Sequence, residues 1–579
     1  YGTDAAHPSR KTLANMTVNL DENVVNVYGG TITGEGQVIK TGEGALVLTG
    51  NNTHTGMTTV NAGTLAINGT LAGDATTDGT GYLMGSGEIG GTLNNQAVAV
   101  AGFLGEGNLT VNNLNSEGGM LIANDNASSN TKFIVNNTAN LDNTMVLVAD
   151  SLPEKTYEVL KAGSITGSIY NNSANPEAVS GMVSQSGEIN GGVISVKTIM
   201  ADNLGEASSA QRETMTAMNR MYHNLPEARR EEMRRLYNLE PESAKEALTD
   251  IGSSRAGETL SIVQTNTLVS HVISDRLNTA FSMEPVNVRI SGNNLADDGT
   301  DNGLDVPVNL PVATENGAWV KFTKNWGDLK SGANYHGSAI SGGYDKAFGK
   351  NTRGGLFVAY NTMNLGTDTS ASNIYDTRIG IYGGYHKGAR DAYWYADYGW
   401  QRNSLRRRLS QLVLDAEADY RSYIAEIGGE YKYDLHAEDG KIWHVSPYVN
   451  MQLSYMRQNG YNEQGANGYN QQVPSQSNTY FAMGMGVEWK RYLGVGSYAM
   501  RLGVKHALSG ADPKLKFNYE GDNGHSYTLN NSQDKTHVVL GISGETEFTK
   551  GWQAGGDVML QKGAHDKDLT ASIMLRRVW

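Results

Sequence analysis

The sequence predicts an all-β protein with a helical linker: a right-handed parallel β-helix stem, then a 12-stranded antiparallel transmembrane β-barrel plugged by an α-helix. Three observations predict this fold. Residues 1–200 combine short apolar runs with glycine, asparagine and threonine, residues 254–283 have a helical period with many polar side chains, and residues 316–579 alternate apolar with small or polar positions. Such alternation, with aromatic residues near the strand ends, is typical of strands that face lipid.

Residues 1–200 form the predicted stem. Their apolar runs are three to five residues long, as at 45–48, 64–67 and 133–135, and turn residues separate them. Short strands at loosely regular spacing indicate stacked rungs, none of which buries its apolar face alone. A two-sheet sandwich would have longer strands and fewer asparagines, so the pattern favours a parallel solenoid.

Residues 201–283 form a predicted helical linker. Methionines recur at helical spacing over residues 215–222, and Pro226 and Pro241 stand where the first turn of a helix tolerates proline. Because the charged run at 227–235 intersperses glutamates with arginines, it is expected to be a helix face with paired charges rather than a nucleic-acid site.

The last part of the linker, residues 254–283, is the predicted pore helix. Thirty helical residues would measure about 45 Å, enough to cross a bilayer. Its serine, threonine, asparagine and glutamine side chains are too polar for lipid, so we expect it to lie inside a polar sheath. Residues 284–315, rich in glycine, asparagine and aspartate, are the expected flexible connector.

Residues 316–579 form the predicted barrel. Residues 445–455 and 481–489 show the alternation clearly, and about twelve such segments occur. An eight-stranded barrel is filled by its side chains, and a 16-stranded barrel leaves an aqueous channel. Twelve strands leave a lumen about one helix wide, and the segment 254–283 is the expected occupant.

Charged residues on the inward face of these strands are the candidate lumen residues. They are Lys321, Arg378, Glu426, Glu430, Glu488, Arg501 and Asp557. A barrel interior is polar because it is solvated, so these acids are expected to pair with strand cations or with Arg255 and Arg276 of the pore helix. A proton or ion site formed by the acids is the alternative.

The composition excludes several classes of protein. The net charge of −14 argues against nucleic acid as a partner, because phosphate binding requires a basic surface. The absence of cysteine excludes disulfides, thiolate catalysis and cysteine-bound metals. The sequence contains no run of 18 apolar residues, so it predicts no transmembrane helix. Since the chain begins at Tyr1, without methionine or a signal peptide, we expect a mature form or a fragment.

No group of residues indicates an enzyme, a cofactor or a metal site. Residues 85–90 match the pattern G-x-G-x-x-G, but such a match is expected by chance in a glycine-rich solenoid, and no helix is predicted after it. The patterns G-x-S-x-G, H-E-x-x-H and the P-loop are absent. We therefore predict that this chain is not an enzyme and binds no cofactor.

Several motifs resemble those of the monomeric autotransporters, the type V secretion proteins of Gram-negative bacteria. In the barrel they are Gly317-Ala-Trp-Val-Lys-Phe, Gly380-Ile-Tyr-Gly-Gly-Tyr-His and the terminal Leu575-Arg-Arg-Val-Trp579. Residues 40–56 and 61–65 resemble the passenger-associated repeat of that family, and residues 109–167 resemble its folding segment. The resemblance covers nearly the whole chain.

The resemblance implies a function and partners. An autotransporter inserts its barrel in the outer membrane, exports its own passenger and displays it on the cell surface. The implied partners are outer-membrane lipid, the barrel-assembly machinery and periplasmic chaperones, and the implied state is a monomer. Ile573, Leu575 and Trp579 correspond to the assembly signal of the last strand, although Arg577 stands where the family often has tyrosine.

The resemblance also implies that the stem nearest the barrel, residues 109–200, starts the folding of the passenger. Seven residues are expected to face its core: Leu109, Val111, Phe133, Val135, Met145, Leu147 and Val159. Isolated asparagines in residues 254–283 give no support to cleavage at an Asn-Asn bond, which occurs in some relatives.

Two alternatives for the function stay open at this point. The stem could be an adhesin that binds a host-cell ligand or neighbouring cells. The chain could instead be the membrane anchor of a secreted serine protease whose catalytic domain lies upstream of residue 1. If the gene encodes a domain with a catalytic triad upstream of residue 1, the protease is favoured. Further solenoid rungs in that place would favour the adhesin.

Overall fold

The computed structural model describes residues 14–126, 130–254, 256, 257, 259, 316–367, 370–437, 443–493 and 496–579, with the strands 286–290 and 304–308. The chain divides into two compact units, Tyr1–Gly252 and Ser253–Trp579. The first unit contains a sheet of 17 strands followed by helices, and the second contains a closed barrel.

Most strands of the first unit are short and run parallel, whereas β13 and β14 are the longest, with 17 and 14 residues. They are β1 (Met16–Asn19), β2 (Val25–Tyr28), β3 (Val38–Thr41), β4 (Ala45–Leu48), β5 (Asn51–Asn52), β6 (Thr58–Ile67), β7 (Thr70–Leu71), β8 (Ala75–Gly85), β9 (Glu88–Asn95), β10 (Val98–Ala101), β11 (Leu109–Glu117), β12 (Met120–Asn124), β13 (Phe133–Ala149), β14 (Thr156–Ile169), β15 (Glu177–Ala178), β16 (Val183–Asn190) and β17 (Val193–Met200).

Successive rungs of the stem stack in register, so that like positions lie above one another. Leu109 of β11 pairs with Phe133 of β13, which pairs with Leu160 of β14 on the next rung. All three side chains are fully buried in a continuous apolar core that extends along the solenoid. The predicted parallel solenoid is therefore confirmed.

The expected core of the folding segment needs one correction. Leu109, Val111, Phe133, Val135 and Val159 lie in the core as expected. The prediction is wrong for Met145 and Leu147, which are only half-buried, because Val146 and Val148 take the core positions. Asn143 adopts a φ of 50° within β13, and this corner shifts the inward positions from odd to even numbers.

Four helices follow the stem within the same unit. They are α1 (Ser209–Asn224), α2 (Glu227–Arg230), α3 (Arg234–Tyr237) and α4 (Pro241–Gly252), with a 3-10 turn at Glu231–Met233. A capping box starts α1, because the Ser208 hydroxyl accepts from the Gln211 amide and the Gln211 side chain accepts from the Ser208 amide. No helix among the described residues is long and apolar enough to cross a membrane.

The helices pack against the last rungs of the stem. Beyond β14 the pairing becomes antiparallel, since β17 pairs with β14 and β16 pairs with β17. Tyr222 of α1 donates to the carbonyl of Pro153 at 2.8 Å, and Arg234 of α3 lies 3.1 Å from the Asp125 carboxylate. Tyr157 donates to the same carboxylate at 2.6 Å. Burial is the larger cause of the raised pKa of Tyr157, and this hydrogen bond is the next. The phenol therefore stays protonated and acts as the donor in this network.

The second unit contains an isolated strand pair, the barrel strands and four strands in connecting loops. They are β18 (Val286–Ile290), β19 (Leu304–Val308), β20 (Gly317–Asp328), β21 (Asn334–Ala347), β22 (Thr352–Gly366), β23 (Ser370–Lys387), β24 (Arg390–Leu409), β25 (Leu414–Tyr433), β26 (Trp443–Gln458), β27 (Tyr461–Asn462), β28 (Gln471–Val473), β29 (Gln476–Leu493), β30 (Gly496–Ser509), β31 (Lys514–Tyr519), β32 (Tyr527–Asn530), β33 (Thr536–Thr549), β34 (Trp552–Lys562) and β35 (Lys567–Val578).

Twelve of these strands close into an antiparallel barrel, as predicted. The first strand, β20, pairs with the last, β35, and β27, β28, β31 and β32 form a separate small sheet. The longest connections, residues 459–475 and 510–535, leave one end of the barrel, and the chain end at Trp579 lies at the other. Because outer-membrane barrels have long extracellular loops and short periplasmic turns, the end with the long connections is assigned as extracellular.

A charge in the core of the folding segment should unfold the stem without affecting the barrel. Val135 is 2% exposed and pairs with Val111 and Ala162 on the adjacent rungs. Val135→Asp would bury an unpaired carboxylate, at a cost of about 3 kcal/mol or more. We expect the stem to become sensitive to protease while the barrel keeps its heat-modifiable mobility on gels.

The matched control is Ile134→Asp, which places the same charge on the opposite, half-buried face of the same strand. This variant should keep a protease-resistant stem. Equal resistance of the two variants would contradict the assignment of Val135 to the core that supports the stem.

Candidate functional site

The inner surface of the barrel is the candidate functional site, because charged side chains converge there. Along β20 and most of β25, buried residues alternate with residues exposed on the outer, lipid-facing side. The structure places all seven candidate lumen residues on the inward side, where each is buried or nearly so: Lys321, Arg378, Glu426, Glu430, Glu488, Arg501 and Asp557.

Arg501 of β30 joins two of the candidate acids. Its two terminal nitrogens lie 3.0 and 2.5 Å from the carboxylate oxygens of Glu430, and its Nε donates to Glu488 at 2.7 Å. Lys432 donates to the other oxygen of Glu488 at 3.0 Å, and the Arg501 guanidinium lies 4.6 Å from the ring centre of Tyr448. Two cations and two carboxylates are thus paired across three strands, β25, β29 and β30, and charge-assisted bonds of this kind are the strong ones.

A second cluster surrounds Arg378 of β23. The guanidinium contacts Asp376 at 2.8 Å and Asp397 at 3.3 Å. The nearby Glu426 accepts hydrogen bonds from neutral donors, namely the Tyr395 hydroxyl at 2.8 Å and the Ser454 hydroxyl at 2.7 Å. Among the described residues, Glu426 is therefore held by hydrogen bonds from neighbouring strands rather than by an ion pair of its own.

A third set of pairs lies near the closure of the barrel. Lys321 of β20 contacts Asp557 of β34 at 2.9 Å, with both side chains almost completely buried. Asp345 and Arg353 form a second buried ion pair, and Tyr382 donates to Asp345 at 2.7 Å. These contacts link the inner surfaces of the strands around the seam.

The small sheet of loop strands is attached to the extracellular end of the barrel. Arg407, which faces inward at the end of β24, contacts Glu463 at 2.6 Å and also donates to the carbonyl of Tyr469 at 2.9 Å. Tyr461 stacks on Tyr420 of β25 with ring centres 4.6 Å apart. The loops between β26 and β33 are thus fastened to the inner surface of the barrel.

The start of the predicted pore helix reaches this inner surface. The Thr259 hydroxyl lies 2.9 Å from the hydroxyl of Tyr420, which faces inward. Gln471 of β28 donates to the carbonyl of Ser253 at 3.0 Å. Gly257 packs so closely against the Asn531 side chain that a Cβ there would overlap it. The pore-helix arginines Arg255 and Arg276 lie outside the described residues.

Sequence reasoning missed several members of the lumen network. They are Asp345, Arg353, Asp376, Asp397, Arg407, Lys432 and Glu463. Six of them lie on barrel strands, and alternation could have found them there, since Lys432 shares the inward face of β25 with Glu426 and Glu430. Glu463 lies in a loop, where no periodic signal exists.

The last strand, β35, carries the expected assembly residues on its outer face. Ile573, Leu575 and Trp579 are exposed, whereas Arg576 and Val578 between them are buried. The backbone of Trp579 exchanges two hydrogen bonds with Asn316, at 3.0 and 3.1 Å. The terminal residue therefore continues the pairing that closes the barrel.

The glycine-rich motif at residues 85–90 forms a turn. Gly85 ends β8 with a φ of 150°, a conformation that favours glycine, and β9 begins at Glu88, so no helix follows the motif. Within the described part of the chain, no group of three or more histidine, aspartate or glutamate side chains is arranged to hold a metal ion.

Family comparisons match two parts of this sequence. Residues 318–559 match the autotransporter beta-domain, and residues 38–67 match the passenger-associated-transport-repeat. The first match lies within the barrel strands, and the second covers β3 to β6 of the solenoid.

Individual relatives are more distant. An extracellular serine protease of Serratia marcescens is 24% identical over 494 residues, which is 76% of this chain and 46% of the relative. The autotransporter adhesin BmaC of Brucella suis biovar 1 is 33% identical over 117 residues, 18% of this chain and 3% of the relative. The chain thus spans less than half the length of these curated relatives.

Two solved structures show limited similarity. The translocator domain of the autotransporter NalP from Neisseria meningitidis has a TM-score of 0.39 and 13% identity, covering 46% of this chain and 88% of that one. The beta domain of the Bordetella autotransporter BrkA has a TM-score of 0.38 and 16% identity, covering 46% of this chain and all of that one.

Loss of Arg501 should destabilise the barrel because it leaves two carboxylates without their shared partner. For Arg501→Gln we expect a loss of about 3–5 kcal/mol, the usual effect of removing one member of a buried ion pair. The temperature at which the folded barrel loses its fast gel mobility measures this loss. The double variant Arg501→Gln/Glu430→Gln should recover part of it, because one unpaired charge is removed.

The control is Arg406→Gln on β24, which removes an exposed arginine that pairs with Asp415 and Glu417 on the outer surface. Exposed pairs contribute about 0–1 kcal/mol, so this variant should unfold close to the parent temperature. If the two single variants behave alike, the lumen network does not stabilise the barrel.

Proposed function

Residues 318–559 are an autotransporter β-domain, and on this premise we propose that the chain anchors itself in the outer membrane, exports its passenger and displays it on the cell surface. The observation that carries the proposal is a closed 12-stranded barrel whose inner surface contacts the chain at Thr259, just where the predicted pore helix begins. The barrel is a monomeric unit, since one chain supplies all twelve strands.

The energy for export would come from folding of the stem outside the cell. Each rung that docks on its neighbour removes apolar side chains from water, which contributes about 25 cal/mol per Å² of apolar surface. A solenoid suits this process because each rung needs only the preceding one as a template. No nucleotide hydrolysis is required.

The pore helix would seal the barrel after export. Residues 254–283 are helical by period and too polar for lipid, and the contacts of Ser253, Gly257 and Thr259 hold the start of this segment at the inner surface. Glu430 and Glu488 already pair with Arg501 and Lys432 of the strands. The seal would therefore rest mainly on shape and hydrogen bonding rather than on these two acids.

The activity of the passenger is a second proposal. The β-domain is a translocator rather than an enzyme. Similarity to an extracellular serine protease extends over 76% of this chain, whereas similarity to an adhesin covers 18%, so we favour a protease passenger whose catalytic domain lies upstream of residue 1. A serine-directed fluorophosphonate should label the surface-displayed product of the full gene if the passenger is a serine protease. An unlabelled product that promotes cell adhesion would contradict the protease proposal.

Barrel insertion would require the barrel-assembly machinery, with periplasmic chaperones delivering the unfolded chain. The exposed apolar side chains of Ile573, Leu575 and Trp579 on the outer face of β35 are the proposed recognition signal. Because Trp579 also pairs with Asn316, the signal and the seam of the barrel share one residue.

Surface display can be tested by cysteine labelling, since the chain contains no cysteine of its own. Glu117→Cys lies on the stem, Ser331→Cys in an extracellular turn and Lys350→Cys in a periplasmic turn, and all three positions are exposed. A membrane-impermeant maleimide should label the first two variants on intact cells. The third should react only after the outer membrane is permeabilised, and the opposite pattern would contradict the proposed orientation.

The sealing role predicts a change in ion conductance. The purified intact protein should conduct poorly in a planar bilayer, and a chain lacking residues 254–283 should form a folded barrel with large, steady conductance. Deletion of residues 291–303, in the connector, is the matched control and should leave conductance low. Equal conductance with and without residues 254–283 would show that this segment does not fill the lumen.

The assembly role predicts different results for two changes at the last residue. Trp579→Ala removes the ring but keeps the backbone pairing with Asn316, whereas deletion of Trp579 removes both. If the ring is the signal, both variants should accumulate little heat-modifiable barrel in the outer membrane and should be degraded in the periplasm. Trp443→Ala, which removes another outward-facing tryptophan, should insert normally.

Normal insertion of Trp579→Ala, with failure only of the deletion, would contradict the recognition role. It would assign the residue to closure of the barrel instead.

A further inference from the structure

Three arginines lie together on the outer face of the barrel, near its extracellular end. Arg402 of β24, Arg421 of β25 and Arg457 of β26 are all exposed. Their strand neighbours on both sides are buried, so the three side chains point away from the lumen. We refer to Arg402, Arg421 and Arg457 as the basic patch.

The basic patch is electrostatically unfavourable as it stands. Arg402 and Arg421 are direct partners across adjacent antiparallel strands, and like charges in such pairs destabilise a sheet. In the described part of the chain, none of the three arginines forms an ion pair, whereas Arg406 on the same face contacts Asp415 and Glu417. The nearest acid on this face, Asp419, is paired in register with Ser404, one position beyond the arginines.

A groove with an alanine floor and tyrosine walls extends from the basic patch toward the membrane side. Ala425 of β25 forms its floor, because it pairs with Tyr398 on one side and with Tyr455 on the other, and both tyrosines are about half-exposed. The groove has a volume of about 330 Å³, and Tyr423 and Arg457 also line it. A small residue between two large aromatic residues thus leaves a channel on the outer surface.

The dimensions of the groove match an acyl chain with a charged headgroup. Strands lie about 4.8 Å apart, so the tyrosine-bearing strands are about 10 Å apart across the floor. Four residues separate Ala425 from Arg421, or about 13 Å along the strand, with the arginine nearer the extracellular end. Tyr398, Tyr423 and Tyr455 line the groove, and outer-membrane barrels carry such aromatic residues where lipid tails meet headgroups.

We propose that the basic patch and this groove bind a phosphorylated lipid of the outer leaflet, with its phosphate on Arg402, Arg421 and Arg457 and an acyl chain against Ala425. Guanidinium groups bind phosphate through paired hydrogen bonds, and a bound phosphate relieves the repulsion between Arg402 and Arg421. The groove distinguishes a lipid from free phosphate, because a free anion gains nothing from an apolar floor. This inference rests on the location of the barrel in the outer membrane.

The test uses the purified full chain in detergent micelles, with bisphosphorylated lipid A as the probe. The variant Arg402→Gln/Arg421→Gln/Arg457→Gln should bind it at least about tenfold more weakly, since each basic residue near an anionic lipid surface contributes measurably to binding. The matched variant Arg390→Gln/Arg406→Gln/Arg577→Gln loses the same charge elsewhere and should bind like the parent. Gel mobility before heating checks that every variant is folded.

Two further measurements separate the headgroup from the acyl chain. Ala425→Tyr fills the groove while keeping the arginines, and it should also weaken lipid A binding. Lipid A from which both phosphates have been removed should bind the parent at least about tenfold more weakly, and inorganic phosphate should compete only at far higher concentration.

Parent-like binding by the basic-patch variant, or equal binding of the dephosphorylated lipid, would overturn the proposal. Equal potency of inorganic phosphate would identify an anion site without lipid specificity and would also overturn it. Because this assay uses protein in micelles, its outcome is independent of export. Failed surface labelling with intact lipid A binding would refute the proposed function alone.

Discussion

Hydrogen bonding between the first and last barrel strands is the interaction on which the rest of the structure depends. Gly317–Asp328 pairs with Lys567–Val578 residue by residue, and Asn316 extends the pairing to Trp579. In a bilayer, an unpaired strand edge would leave several backbone groups without partners, each at a cost of several kcal/mol. Closure removes this cost, and it requires residues more than 200 positions apart in the chain to meet.

Closure also fixes the environment of each side chain. Once the strands form a ring, one set of alternate residues faces lipid and the other faces an enclosed lumen. The inward charges are stable because they are paired across strands, as Arg501 is with Glu430 and Glu488 and as Lys321 is with Asp557. Outside, the same alternation leaves Arg402 opposite Arg421, and neither arginine has an ion-pair partner among the described residues; this imbalance is the basis of the lipid proposal.

Alternation made the barrel predictable, including its twelve strands and the inward face of all seven lumen candidates. The alternation along a strand could not show which lumen charges pair with one another. The contact between Lys321 and Asp557, for example, depends on how the strands are aligned around the seam. The stem was predictable as a parallel solenoid, but Met145 and Leu147 were misplaced because a left-handed residue, Asn143, changes the inward positions within one strand. The pair Arg407–Glu463 was missed because Glu463 lies in a loop.

The two ends of the stem differ, and this difference gives the solenoid a direction. At one end, antiparallel β16 and β17 and the helices occupy the last rungs. At the other end, among the residues described from 14 onward, β1 pairs only with β3 and β2 only with β4, and Val25 and Val27 are 66% and 64% exposed. A further parallel strand can add only at this open edge. The stem is therefore a one-way template: the rungs next to the blocked end can order first, and each later rung can add only on the open side.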